Sequence, residues 1–148
     1  MDEKSIYYDS EKSSAGGGTE SREKRAKPTK LEPLTAKIID GIIKVHKTLG
    51  PGFTKSVYHA ALALELKSGE LNIEENRQVP IVYNGTQVGT QNLDIVVDGQ
   101  VILELKTVDQ LEPADYAQLR SYLRAAGLEV GLLVNFARER SDFRRVEI

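Results

Sequence analysis

The stretch Leu93-Asp94-Ile95-Val96-Val97-Asp98-Gly99-Gln100-Val101-Ile102-Leu103-Glu104-Leu105-Lys106 decides the fold of this chain. Apolar residues run through it on both sides of Asp98-Gly99, which predicts two β-strands joined by a turn. The odd-numbered residues are all apolar, and they share one core face only if Ile95 lies opposite Leu103. That register requires a three-residue connection or a bulge around Asp98-Gly99-Gln100, because a two-residue turn would turn one strand over.

This register brings charged side chains together on the opposite face. Asp94 falls opposite Glu104, with Cβ atoms about 5 Å apart, and Lys106 follows on the same face. Two such carboxylates repel each other, and Mg²⁺ or Mn²⁺ bound between them would remove the repulsion. The Lys106 ammonium is then placed to hold an attacking water or to neutralise developing phosphorane charge. A solvated Glu-Lys surface pair is the competing interpretation, which the apolar neighbours and the facing Asp94 disfavour.

The rest of the chain supplies helices and further strands. Helical periodicity begins at Thr35, an expected N-cap, and ends at Gly50-Pro51-Gly52; a second helix runs from Thr54 to about Ser68. Its expected buried face is Val57, Ala61, Leu62 and Leu66, with Tyr58 at the edge. Strands are predicted at 79–88, as a hairpin turning at Asn84-Gly85, and at 92–97, 101–108, 130–136 and 143–148, with a helix over 113–126. The order α-α-β-β-β-α-β predicts an α/β (α+β) sandwich with one mixed sheet.

Length and composition set further limits. The 148 residues suit one domain, which we place at 34–148, preceded by a charged, Gly- and Ser-rich tail over 1–33 that we expect to be flexible. The chain has no cysteine and only two histidines, so metal chemistry falls to carboxylates. No apolar run is long enough for a membrane helix and none follows Met1, so we expect no membrane association and a cytoplasmic location.

The spacing of these residues resembles a known active-site signature. Asp94, nine intervening residues and Glu104-Leu105-Lys106 look like the motif of the PD-(D/E)XK nuclease superfamily. More narrowly, the chain resembles the GxxExxY family over about residues 34–145, through Val45 to Gly52, Val79 to Tyr83 and Gly131 to Phe136 among other stretches. The resemblance implies a restriction-endonuclease-like αβββαβ core with a mixed central sheet flanked by helices. It also implies a metal-dependent nuclease in which Asp94 and Glu104 bind Mg²⁺ (or Mn²⁺) and Lys106 assists catalysis on DNA.

One departure from the GxxExxY pattern bears on activity. Lys55 stands where the family has glutamate, in Gly52-Phe53-Thr54-Lys55-Ser56-Val57-Tyr58. A lysine would repel the cation and would be free to pair with Asp94 or Glu104; such a pair would indicate loss of catalysis, whereas a solvent-facing Lys55 would leave catalysis open. His59 and Glu65 could replace the missing acid only if they point inward.

Substrate-supporting residues are expected on the helix over 113–126. Gln118 and Tyr122 resemble the QxxxY motif of RecB-like nucleases and share one helix face. The alternative is that Gln118 caps the helix, with Asp115, and Tyr122 packs in the core. Arg120 and Arg124 form a neighbouring stripe that could contact phosphates, together with a C-terminal cluster of Arg138, Arg140, Arg144 and Arg145. An ordinary solvated surface is the alternative for all six arginines.

Three functions therefore remain open. The first is a magnesium-dependent nuclease acting on DNA, or less readily on RNA. The second is a catalytically inactive nuclease fold that binds nucleic acid or a partner protein, motivated by Lys55. The third is a binding module without nucleic acid, which the net charge of −2 would suit. A homodimer is an open alternative to a monomer.

Overall fold

The computed structural model describes Ile6–Tyr8, as backbone, and residues 31–148. Within them the chain forms three helices and six strands. The elements are β1 (Ile6–Tyr8), α1 (Glu32–Leu49), α2 (Lys55–Ser68), β2 (Ile73–Tyr83), β3 (Thr86–Val97), β4 (Val101–Lys106), α3 (Pro113–Ala126), β5 (Val130–Asn135) and β6 (Asp142–Glu147). The expected flexible tail falls mostly outside the described residues; α1 begins at Glu32, two residues before the expected domain boundary.

The strands form one mixed sheet in the order β1-β6-β5-β4-β3-β2. Only β4 and β5 run parallel, from Val101↔Val130 to Lys106↔Asn135, and α3 makes the crossover between them. The other neighbouring pairs are antiparallel. The predicted α+β architecture, with a mixed central sheet flanked by helices, is therefore confirmed.

The helices cover the two faces of the sheet. Helices α1 and α2 pack on one face over a buried cluster that includes Ile38, Leu62 and Leu103. Helix α3 packs on the other face over a second cluster that includes Leu119, Leu123 and Ile102. The sheet is thus apolar on both sides, so any charged side chain in its central strands must be held by specific partners.

The predicted register of the central hairpin is confirmed. Ile95 pairs with Leu103 and Val97 with Val101. Asp98 and Gly99 both have positive φ, and Gln100 N–H donates to Val97 O at 2.9 Å. The connection is a type I′-like turn with Gln100 as an extra residue, as the three-residue connection required.

Some local predictions were wrong. Tyr58 is fully buried and stacks on Phe136 with ring centroids 4.5 Å apart, whereas Val57 is 39% exposed, so Tyr58 rather than Val57 faces the core. Residues 86–97 form one continuous strand rather than two. Thr35 lies inside α1, where its hydroxyl donates to the carbonyls of Leu31 and Glu32, and is not the N-cap.

Candidate active site

Asp94 lies where the alternation of β3 breaks. Leu93 is buried in the α3-side cluster, but Ile95, two residues later, is buried in the α1/α2-side cluster. The expectation that Leu93 shares a face with Ile95 was therefore wrong. Asn76, which the β2–β3 register places opposite Asp94, has a left-handed backbone with φ of 55°. At this distorted position, Asp94 Oδ2 accepts the backbone N–H of Leu105 at 2.9 Å.

Glu104 is a buried carboxylate with one oxygen that makes no hydrogen bond within the described structure. It is 7% exposed, and its Oε1 has no hydrogen-bond partner among the described residues. Burial, and then the nearby charge of Asp94, raise the pKa of Glu104 to about 7. The predicted proximity of Asp94 and Glu104 thus has a direct electrostatic consequence. A group held in this way calls for a proton or a cation at Oε1.

Lys55 enters the site from the start of α2. Its Nζ lies 2.9 Å from Asp94 Oδ2, and its side chain is 44% exposed. The ion pair that we expected to indicate loss of catalysis is therefore present, although the Lys55 side chain also remains partly in solvent. The Lys55 ammonium offsets the charge of Asp94. It also lowers the pKa of Glu104, but this effect is smaller than the opposing effects of burial and of Asp94. Glu104 therefore keeps its raised pKa and its unpartnered oxygen.

Lys106 is held by an acid that the sequence interpretation did not include in the site. Lys106 Nζ lies 3.2 Å from Asp115 Oδ1, and Asp115 Oδ2 accepts the N–H of Glu112 at 2.8 Å. Glu112 and Asp115 form a capping box at the start of α3, so the expected cap by Asp115 and Gln118 was wrong. Asp115, Leu119 and Tyr122 follow at i, i+4 and i+7, and this spacing was the available signal.

The four predicted site residues on α3 differ in how far they are buried. Tyr122 is 8% exposed, and burial, followed by the charges of Glu104 and Asp94, raises its pKa, so it lies beside the carboxylates. Gln118 is exposed. Arg120 is partly buried and its NH1 nitrogen has no hydrogen-bond partner among the described residues, while Arg124 is exposed. The structure thus places Tyr122 at the site, and Gln118 turns its side chain to the surface.

Asn135 is a second residue that the sequence interpretation did not single out. It pairs with Lys106 across β4 and β5 and is 1% exposed. Its Oδ1 accepts the N–H of Val108 at 3.0 Å, and its Nδ2 donates to Val108 O at 2.8 Å. The Asn135 amide holds the backbone of Val108, two residues after Lys106. It therefore fixes the position of the strand end that carries Lys106. A lone asparagine at the end of an apolar strand was its only signal.

The proposed substitutes for an acid at position 55 and two of the six arginines have partners elsewhere. His59 Nε2 lies 3.0 Å from Glu75 Oε1, and Glu65 Oε2 lies 3.4 Å from Lys44 Nζ, so both side chains are paired away from Asp94 and Glu104. Arg145 is 2% exposed and donates to Glu147 and to Thr35, which ties β6 to α1. Arg144 bonds Asp142 and the Tyr116 hydroxyl. These two arginines serve the fold rather than a phosphate-binding surface.

The site residues fit one divalent cation held partly by protein oxygens. No group of three or more His, Cys, Asp or Glu side chains suited to a metal occurs in the described part of the chain. Two carboxylates with water and phosphate completing the coordination are nevertheless a usual magnesium arrangement. The unpartnered Glu104 oxygen is the feature that such a cation would satisfy.

In residues 31–148, no helix is long and apolar enough to cross a membrane.

Comparisons with known proteins agree with this architecture. A family model described as the PD-(D/E)XK nuclease superfamily matches residues 32–146. A solved structure titled "Crystal structure of SSO0001" superimposes with a TM-score of 0.52 at 18% sequence identity, covering 86% of this chain and 72% of that chain. At that identity the likeness is one of fold. No curated protein matches.

The mixed sheet carries an acidic pair, Asp94 and Glu104, and Lys106 on its central strands, and the family match assigns this fold to its class. The chain belongs to the PD-(D/E)XK nuclease superfamily. The expected restriction-endonuclease-like core is confirmed by the fold and by the structural match.

Proposed function

We propose that this domain hydrolyses phosphodiester bonds of DNA with Mg²⁺ or Mn²⁺ at Asp94 and Glu104. The observation that carries the proposal is the Glu104 carboxylate, which is buried next to Asp94 with Oε1 unpartnered in the described structure. Maintaining such a group costs free energy unless a cation or proton completes it. Membership of a nuclease superfamily supplies the reaction class.

The side chains have separable roles in this proposal. Asp94 is fixed by the Leu105 N–H, so its free oxygen and Glu104 Oε1 would be the protein ligands. A bound Mg²⁺ or Mn²⁺ would polarise a phosphoryl oxygen and lower the pKa of a bound water. Lys106, oriented by Asp115, would hold the attacking water and offset negative charge developing on the phosphate. Tyr122 would line the approach of the substrate from α3.

The cleavage test compares the full chain with a variant of its proposed catalytic lysine. Supercoiled plasmid and single-stranded DNA are incubated with purified protein and Mn²⁺, and the products are resolved on gels. We expect cleavage that EDTA abolishes and that Lys106→Ala lowers by at least about 100-fold, the usual scale for such a group. Lys67→Ala, a lysine on α2 paired with Glu75, is the matched control and should cleave normally. Cleavage that Lys106→Ala leaves unchanged would overturn the proposal.

A second candidate function rests on the Lys55–Asp94 ion pair. An ammonium 2.9 Å from Asp94 supplies the positive charge that a cation would bring, which suits a nuclease fold that binds nucleic acid or protein without cleaving it. The resemblance to GxxExxY proteins, which carry glutamate there, supports the same proposal. Calorimetry that detects no Mn²⁺ binding, together with retained DNA binding, would favour this candidate over hydrolysis.

A further inference from the structure

The Tyr58 hydroxyl bridges the loop between α1 and α2. Its side chain is fully buried, and the hydroxyl donates to Gly50 O at 2.5 Å and accepts the Phe53 N–H at 3.2 Å. Gly50 and Gly52 in this loop have positive φ, of 69° and 117°. One side-chain oxygen therefore joins the two ends of a tight loop, and Lys55 follows two residues after it.

The start of α2 lacks the usual side-chain cap. Thr54, the N-cap residue, makes no capping hydrogen bond, and its hydroxyl lies 3.1 Å from the Ser56 hydroxyl instead. The first turn has no acidic residue, and it carries Lys55 at the positive end of the helix dipole, where a cation is disfavoured. The position of Lys55 therefore depends on contacts beyond the cap of its own helix.

The ring of Tyr58 connects this loop to the strand end at Lys106. The ring stacks on Phe136, with centroids 4.5 Å apart and planes inclined by 3°. Phe136 N–H donates in turn to the Lys106 carbonyl at 2.9 Å. Because the whole ring is buried and stacked, its hydroxyl is held in one place, between the backbone of Lys106 and the backbone that leads into Lys55.

The contact that depends on this loop is the one between Lys55 and Asp94. The Lys55 side chain is 44% exposed, although its Nζ lies 2.9 Å from Asp94 Oδ2. Such an ion pair gains little unless the lysine backbone is already fixed, because ordering a long side chain costs entropy. We propose that Tyr58 is a positioning residue, whose hydroxyl holds the loop that leads into Lys55 and so keeps the Lys55 ammonium on Asp94. The effect of Tyr58 on a cation at Asp94 rests on the proposed function, whereas its hold on Lys55 does not.

The test measures how readily the Lys55 amine of the full chain reacts. Limited reductive methylation followed by mass spectrometry gives the rate at Lys55 relative to Lys67, which lies on the same helix in another ion pair. Tyr58→Phe keeps the stacked ring and removes the hydroxyl, so we expect this ratio to rise roughly fivefold, the scale of one net hydrogen bond. Tyr116→Phe, which removes a hydroxyl that binds Arg144, is the matched control and should keep the wild-type ratio.

Amide hydrogen exchange at Phe53 gives a second readout, because its N–H donates to the Tyr58 hydroxyl. We expect this exchange to be roughly fivefold faster in Tyr58→Phe. A merely structural role would loosen the whole helix and speed both lysines together. An unchanged ratio of Lys55 to Lys67, or unchanged exchange at Phe53, would therefore overturn the inference.

Mn²⁺ binding separates this inference from the proposed function. If Asp94 and Glu104 hold the cation, Tyr58→Phe should bind Mn²⁺ at least about threefold more tightly than wild type, and should add nothing in a Lys55→Met background. The methylation ratio needs no metal, so it decides the role of Tyr58 even if no variant binds Mn²⁺. That last result would overturn the proposed cation site alone.

Discussion

The ammonium of Lys55 lies 2.9 Å from the carboxylate of Asp94, and the neighbouring Glu104 remains without a partner at Oε1 among the described residues. One of the two acids on the central strands is therefore compensated from within the chain and the other is not. In the proposed cation site this asymmetry would limit the affinity, because the internal ammonium would compete for Asp94 while Glu104 would still require a positive charge or a proton.

Reversing the charge at Lys55 should strengthen cation binding. Lys55→Glu removes the ammonium from Asp94 and adds an oxygen ligand, so we expect Mn²⁺ to bind at least about tenfold more tightly, or 1.4 kcal/mol. Calorimetric titration measures the change. Lys67→Glu, twelve residues further along the same chain in α2, is the matched control and should bind as wild type. Unchanged affinity in Lys55→Glu would show that Lys55 does not compete for the site.

The buried Glu104 should make stability depend on pH in a defined direction. Its pKa is raised from 4.5 to about 7, so the folded state holds a proton that the unfolded state releases. The contribution of Glu104 to the free energy of unfolding is fully present below pH 4.5, where both states are protonated. It is lost as pH rises through about 7, and the loss is on the order of 3 kcal/mol. Thermal denaturation in EDTA should show this loss in wild type and its absence in Glu104→Gln.

Added Mn²⁺ provides the control for that pH dependence. A cation at Glu104 favours the ionised carboxylate, so the loss of stability between pH 5 and 8 should shrink in wild type when Mn²⁺ is present. Glu104→Gln should gain little from Mn²⁺ at any pH. Parallel pH profiles for wild type and Glu104→Gln in EDTA would show that this carboxylate is not held neutral by its surroundings.

Asp115 should act through Lys106 as a positioning residue. Asp115→Asn removes the charge that holds Lys106 Nζ, so DNA cleavage should fall roughly tenfold or more and its pH profile should shift. Glu112→Ala removes the other half of the same capping box without touching Lys106, and it serves as the control for helix stability. Equal cleavage by the two variants would assign Asp115 to the helix cap alone.

Asn135 should be needed for the stability of the strand end at Lys106. Asn135→Ala leaves the backbone N–H and C=O of Val108 without their side-chain partners in a part-buried setting, at a cost of about 2 to 4 kcal/mol. Urea denaturation measures it. Asn92→Ala, which breaks exposed side-chain bonds in the hairpin, should cost less than about 1 kcal/mol. Similar costs for the two variants would contradict this role of Asn135.

The sequence predicted the central hairpin because its register had a single solution. Six apolar residues had to avoid the polar face, and only the Ile95–Leu103 pairing met that condition. The break of alternation at Leu93 was beyond such reasoning, since period-two logic assumes an undistorted strand. The left-handed Asn76 lies opposite Asp94 at that break, and asparagine tolerates the conformation without requiring it.

The candidate site was predictable within the β3–β4 hairpin and less so where a helix meets the sheet. Asp94, Glu104 and Lys106 followed from the strand pattern, and the pairing of Lys55 with Asp94 followed from a family resemblance. Asp115 was interpreted only as a helix cap, because its contact with Lys106 depends on how α3 docks on the sheet. The inward turn of Arg144 and Arg145 likewise depends on tertiary partners, Tyr116 and Thr35.

The most direct test of the central claim is Mn²⁺ binding by the apo protein, followed by electron paramagnetic resonance of the free ion. We expect wild type to remove one Mn²⁺ per chain from solution and Glu104→Gln to remove far less. Glu129→Gln, which changes an exposed acid just before β5, should bind as wild type. Equal Mn²⁺ uptake by wild type and Glu104→Gln, or none by either, would contradict a cation site at Asp94 and Glu104.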